Sequence, residues 1–371
     1  MTDASATTQA ALSAEARALM ARAARADSRS RRAESASIAD AFRAPEARLD
    51  DRTRAAFSAL VSGIVGVVEG ELSEYAARLL TARGATAAAE AITRTTAPVV
   101  DRLAAAGLLG DPDFAGECLA RVRLELLTEG LPADAGAEGD APSLLARLTQ
   151  SSDRVVATAA SAAMIGESHR RSLGEGRALS GTGLPSALHA RLVWWVAAAL
   201  RNRVGDRIAD PAALDRALGE AAKRSIAAHD DDDRVEMAAM RLAAAVDPQA
   251  AELLALIDEV LRDRRLTILA AFLAHALGTD YELGRELLID PAGDRLWLVL
   301  RALDVPREVI ARLGFHLCEA DARRDAEAFA DALDLAASID PATARLAVAP
   351  LTLHRDFRAA LMALDAARDD A

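Results

Sequence analysis

Apolar residues recur at spacings of three and four through most of this chain. Nowhere do β-branched and aromatic residues gather into the alternating runs that cover the face of a strand. Between 50 and 82 the series Leu60, Ile64, Val67, Val68, Leu72, Tyr75 and Leu79 makes one helical stripe. Leu253, Leu254, Ile257, Val260 and Leu261 make a second, and Leu296, Trp297, Val299, Leu300 and Leu303 a third. Alanine fills much of the rest, and it loses no side-chain entropy in a helix. A helix with one apolar stripe cannot bury that stripe alone, so neighbours must stack. The expectation is an all-α fold, either a HEAT-like array of α-α hairpins or an irregular helical bundle.

Helix starts are marked by Asp-Pro. Asp at the N-cap accepts hydrogen bonds from free first-turn amides, and Pro at the next position has the right φ and no amide to leave unpaired. The pair occurs at 111–112, and then at 210–211, 247–248, 290–291 and 340–341. The last four are separated by intervals near the length of a two-helix repeat. Val305-Pro306 and the Asp run at 230–233 mark further starts.

Three regions follow from the pattern. Residues 1–50 form an Ala/Arg-rich N-terminal segment, helical near 12–26 and 31–42. From Arg17 to Arg48 it holds eight Arg against Asp27, Glu34, Asp40 and Glu46, an excess of four positive charges. Residues 51–130 form a helical subdomain, with a break at Gly84 and a second helical stretch at 86–106. The stretch GLPADAGAEGDAP (130–142) keeps no apolar period and reads as a linker. Residues 143–371 form the HEAT-like domain. It includes a helix at 152–172 behind a Ser-Ser-Asp start and a glycine-rich loop, GEGRALSGTGLP (174–185).

The formal net charge of −12 disfavours general nucleic-acid binding, which must neutralise many phosphates. Cys118 and Cys318 lie far apart among apolar neighbours and are expected as reduced core residues. The first residues, MTDASATTQA, lack a signal pattern. The longest uninterrupted apolar run, Leu192 to Leu200, falls well short of a membrane span. A cytoplasmic location without a transmembrane segment is expected by exclusion.

The common catalytic spacings do not occur. Gly166-Glu167-Ser168-His169-Arg170 begins like a nucleophile elbow but lacks the closing Gly. Gly174-x-Gly176 has Leu179 where a dinucleotide fingerprint needs Gly. No histidine has a carboxylate three residues before it, as a di-iron helix requires. His229 and Asp233, beside Asp230, Asp231 and Asp232, could suit a divalent ion. The plainer reading is that the Asp run caps a helix beginning near 233. The chain is expected to carry no catalytic residues, no metal and no cofactor.

Trp194 and Trp195 point about 100° apart on a helix, so one can enter the core while the other faces a groove. The candidate groove or ligand contacts are therefore Arg191, Trp194, Trp195 and Arg201, with Arg for an anionic group. The plainer reading makes both Trp packing anchors.

The segment LPSALHARLVWWVAAALR (184–201), together with ARLDDRTRAA (47–56), resembles the family catalogued as DUF2336, helical proteins of alphaproteobacteria. That resemblance implies HEAT-like structure and no known reaction or catalytic residues. The expected function is a non-enzymatic scaffold or adaptor that binds another protein, one with a basic surface given the acidic balance. The alternative is a small-molecule-binding regulator with a site near the 174–185 loop, the loop acting as its lid, and Trp194/Trp195.

Overall fold

The computed structural model describes residues 49–94, 98–132, 142–174, 181–204, 210–354, 356–358, 360, 361 and 364, with backbone alone at 169–174. The helices expected at 12–26 and 31–42 lie outside the described residues, as does most of the linker. The chain divides into two compact units, Met1–Asp51 and Arg52–Ala371. The second unit is all-α, with no strand among the described residues.

Helix α1 (Asp51–Ala82) is one continuous rod. It ends where Gly84 turns left-handed, at φ +77°, and the Ala85 amide reaches back to the Leu80 carbonyl. The single stretch expected at 86–106 is two helices, α2 (Thr86–Thr93) and α3 (Val99–Ala105), the latter entered through Pro98. Then come α4 (Pro112–Gly130), α5 (Leu144–Thr149), α6 (Arg154–Gly174), α7 (Ser186–Val204) and α8 (Pro211–Ala228). The C-terminal part holds α9 (Val235–Val246), α10 (Ala250–Arg262), α11 (Leu266–Leu277), α12 (Tyr281–Ile289), α13 (Asp294–Ala302), α14 (Arg307–Ala320), α15 (Ala326–Ser338) and α16 (Pro341–Val348).

Three Asp-Pro pairs start helices as expected. Asp111, Asp210 and Asp340 each accept first-turn amides, with Pro next. The other two do not. Asp247 is the left-handed residue that closes α9, and α10 starts instead from a capping box between Gln249 and Glu252. Asp290 closes α12, and α13 starts at Gly293. The Asp run forms a short 3-10 turn, Asp231–Asp233, capped by Asp230, so the following helix begins at Val235 rather than near 233.

Two apolar cores result. The smaller joins α1, α2, α3, α7, α8 and the first half of α4, through residues such as Val68, Leu72, Leu103, Phe114, Leu192 and Leu214. The larger joins the second half of α4, α5, α6 and everything from α9 onward. Helix α11 is its axis, with every residue from Leu266 to Ala274 buried. Residues 184–226 thus share a core with 61–118 rather than with the helices that follow them. Successive helices pair at α5/α6, α7/α8, α11/α12 and α14/α15, but α4 also packs on α12 and α14, far along the chain. In a simple array each unit touches only its neighbours. The long reach of α4 does not follow that pattern.

By length and composition α1 could cross a membrane. Uninterrupted apolar runs miss it because Ser58, Ser62, Gly63 and Gly66 break them. Here one stripe of α1 (Val61, Ile64, Val65, Val68, Leu72, Ala76 and Leu80) is the spine of the smaller core. On its flank Glu69 pairs with Arg203, and Glu71 accepts from the Ser225 hydroxyl at 3.1 Å.

Candidate functional site

The four residues singled out on α7 go to different places. Arg191 donates to Asp111 at 2.7 Å and to Asp113 at 3.3 Å, so it ties α7 to the start of α4. One turn on, Trp195 meets Phe114 of α4 edge-on, with ring centres 5.8 Å apart. These two residues act together, as a packing anchor. Trp194 faces outward, 45% exposed. Arg201 turns to α8 and pairs with Asp215. Both guanidinium groups hold carboxylates of this chain.

The glycine-rich loop splits at the limit of the described residues, since 175–180 lie outside them. Its remainder, 181–185, does not stand free as a lid would. Thr182 and Leu184 are buried, and the carbonyls of Thr182 and Gly183 both accept from the Arg121 guanidinium. This strap lies where the two cores meet, and a buried ionic network lies beside it.

Helix α4 supplies Glu117 and Arg121, where its smaller-core residues, Phe114 and Cys118, give way to its larger-core residues, Leu124 and Leu127. Glu117 accepts from Arg121 at 2.9 Å and takes a two-point grip from Arg285 of α12, at 3.1 and 2.7 Å. Arg121 also faces Glu236 of α9 at 3.9 Å. Arg234 stands 3.7 Å from Glu236 and 3.7 Å from Glu282. Glu117, Arg121, Arg234, Glu236 and Arg285 are all buried, Glu236 almost completely. Counting Glu282, three positive and three negative charges offset one another. A charge without its partner at such depth would be very costly.

This pairing fixes the protonation of the site. Burial alone would raise the Glu117 carboxyl, but the Arg285 hydrogen bonds and the charges of Arg121 and Arg285 outweigh it and hold Glu117 down at about 2. Burial pushes the neighbouring Cys118 thiol up to about 12. At neutral pH Glu117 is an ionised anchor rather than a proton donor, and Cys118 a protonated core residue rather than a nucleophile. Cys318 is half-buried, its thiol also raised by burial.

No family model, curated protein or solved structure matches this chain.

Two histidines complete the seam. His189 of α7 and His229, the residue closing α8, stack with centres 4.0 Å apart and planes within 10°. His229 Nε2 lies 2.9 Å from the Leu184 carbonyl, which can only accept, so that nitrogen carries the proton. His189 Nδ1 lies 2.9 Å from the Thr182 hydroxyl. Asp231, part of the run read as capping the helix after it or else as suiting a divalent ion, accepts from the Ser186 amide at 2.9 Å, so it caps α7. Its carboxylate is 3.6 Å from His229 Nε2.

The network follows no motif spacing in the sequence. The signal was present in the stripes. Glu117 and Arg121 continue the series begun by Phe114, and Arg285 sits between Tyr281 and Leu288. A charge at a stripe position is a buried charge in waiting, and it needs a partner that only the tertiary fold reveals.

Proposed function

We propose that this chain is a non-enzymatic helical protein that binds another protein, one with a basic surface. The observation that carries the reading is the set of large apolar side chains left in solvent on three successive helices. Phe315 on α14 is 47% exposed, Leu335 on α15 is 66% exposed and Leu346 on α16 is 79% exposed. Such side chains gain most from being covered by a partner. The excess of acid over base in the sequence favours a basic partner. The ionised Glu117 and the protonated Cys118 support the same reading, because the buried ionisable groups are committed to one another. A cytoplasmic setting and kinship with the DUF2336 family belong to this proposal. The ligand-binding alternative asks Arg191 and Arg201 to exchange the carboxylates they now hold for an external anion, so the protein-binding reading comes first.

The test is capture of partners by the full chain beside a Leu335→Asp/Leu346→Asp variant. Both sites are exposed, so the variant should keep the wild-type circular dichroism and melting temperature. A partner retained by the wild type, lost by the variant and released by added salt supports the reading. Identical captured sets reject it.

A further inference from the structure

We infer that His189, His229 and the strap at residues 181–185 form an acid-sensitive latch across the seam between the two cores. Each ring holds the strap at a different point. His229 donates to the Leu184 carbonyl, and His189 bonds the Thr182 hydroxyl, which in turn lies 3.4 Å from the Leu184 amide. The strap's next two acceptors, the carbonyls of Thr182 and Gly183, receive Arg121 from α4. One short stretch therefore links the ends of α7 and α8, in the smaller core, to the ionic network that faces the larger.

The stack is what makes the latch sensitive to acid. Two neutral imidazoles pack face to face at 4.0 Å without penalty, whereas a charge on one opposes a charge on the other. His189 is 4% exposed, and among the described residues its Nε2 makes no hydrogen bond of normal geometry, the Ser225 carbonyl of α8 being the one backbone acceptor that bears on the ring. Among the described residues, few groups bear on His189. Asp231, from the turn after α8, favours a positive ring, and so does the Ser225 carbonyl of α8. Arg121 meets the strap from the α4 side, at its carbonyls rather than at the rings. Burial, with His229 adding to it, outweighs Asp231 and Ser225 and holds His189 at about 4, below its ordinary 6.5.

The closed strap therefore prefers neutral His189, and an open strap returns the ring to water. The open form binds more protons wherever the pH lies between 6.5 and about 4, so acidification through that window favours opening. Opening frees Leu184 from the smaller core and takes two acceptors from Arg121.

The experiment is hydrogen exchange of the full chain between pH 7.5 and 5, corrected for the intrinsic rate and read on peptides covering 181–190. Protection of the strap should fall on the order of tenfold between pH 6.5 and 5. In His189→Asn, which keeps a polar group near the Nδ1 position and cannot titrate there, protection should stay flat. If that variant does not fold, histidine-labelled NMR of the wild type decides. The His189 resonance should titrate far below the others, and strap resonances should broaden or shift in the 6.5-to-4 window. Constant strap protection in the wild type, an equal fall in His189→Asn, or a His189 titration near 6.5 would overturn the inference.

Discussion

The two cores solve the same packing problem with different materials. In the smaller core nine of 29 buried apolar residues are Ala, and three of the helices that carry it are long: α1 has 32 residues, α7 19 and α8 18. In the larger core nine of 42 are Ala, and the helices from α9 onward have at most 14 residues. Leu, Phe272, Tyr281, Trp297 and Phe329 fill it instead. A buried methyl contributes about 0.8 kcal/mol and a buried Leu about twice that or more. An alanine seam therefore has to be long to hold, whereas a leucine core can be assembled from short helices around one fully buried axis. Among the described residues only α4 belongs to both cores, and its charged middle sits where they meet.

If the two cores depend on that seam, breaking it should cost more than any change inside either one. Arg285→Leu removes the two-point grip on Glu117 and leaves a buried carboxylate short of a partner. The expected loss is about 3–5 kcal/mol, measured by denaturant unfolding at pH 7. Adding Glu117→Leu should recover much of it, because the remaining charges still balance. The pH dependence has a definite sign. Glu117 is depressed from 4.5 to about 2, so its stabilising share is complete above 4.5 and is lost as the pH falls through 2. In Arg285→Leu acid protonates the stranded carboxylate sooner, so the deficit against wild type should shrink below pH 4.5. A deficit under 1 kcal/mol at pH 7 would mean the cores hold together without the network.

Much of the fold was legible in the sequence, and the reason is local. Stripes such as 253–261 and caps such as Asp111, Asp210 and Asp340 act within one or two turns, so neighbouring residues suffice to read them. Asp247 and Asp290 show the limit. The dipeptide is the same, yet there the chain must turn between packed helices, and the Asp closes one helix instead of opening the next. The candidate site was less legible. Arg191 and Trp195 were visible as a pair on one face, but Asp111 and Phe114, which occupy them, lie about 80 residues earlier. The partners of Glu117 were hidden for the same reason, since Arg285 lies 168 positions away. The strap at 181–185 looked like a free loop because its glycines are visible in sequence and the reach of Arg121 to its carbonyls is not.

The next effect in size contrasts two helical glycines, one from each core. A Cβ at Gly284 of α12 would overlap the Ala270 carbonyl of α11 and press on Ala274 Cβ at 3.2 Å. Helix α12 can approach the buried axis only because that position has no side chain. A Cβ at Gly219 of α8 would meet nothing within 4 Å. Gly284→Ala should therefore cost about 1–3 kcal/mol as the helices are forced apart. Gly219→Ala should gain up to about 1 kcal/mol from helix propensity. Thermal melts of the two variants check the pair. Equal shifts would show that the larger core gives way as easily as open solvent does.

The smallest expected effect concerns how the helices end. Among the described residues, the left-handed positions beside the smaller core are all glycine: Gly84, Gly107 and Gly183. Beside the larger core Asp247, Arg264 and Asp304 take that conformation as well. Arg264 follows α10 at φ +50°, and the Arg265 amide closes the helix on the Val260 carbonyl at 2.9 Å. A side chain there crowds its own carbonyl at a cost of about 1–2 kcal/mol, which glycine avoids. Glycine gives back part of that by loosening the unfolded chain. Because Arg264 is exposed, little packing is lost with its side chain. Arg264→Gly should thus raise stability by about 0.5–1 kcal/mol in a urea titration, without changing the slope of the transition. Short helices joined by abrupt turns leave this strain in the larger core. A loss of stability in the variant would mean that the Arg264 side chain, and not the turn's backbone, holds that corner in place.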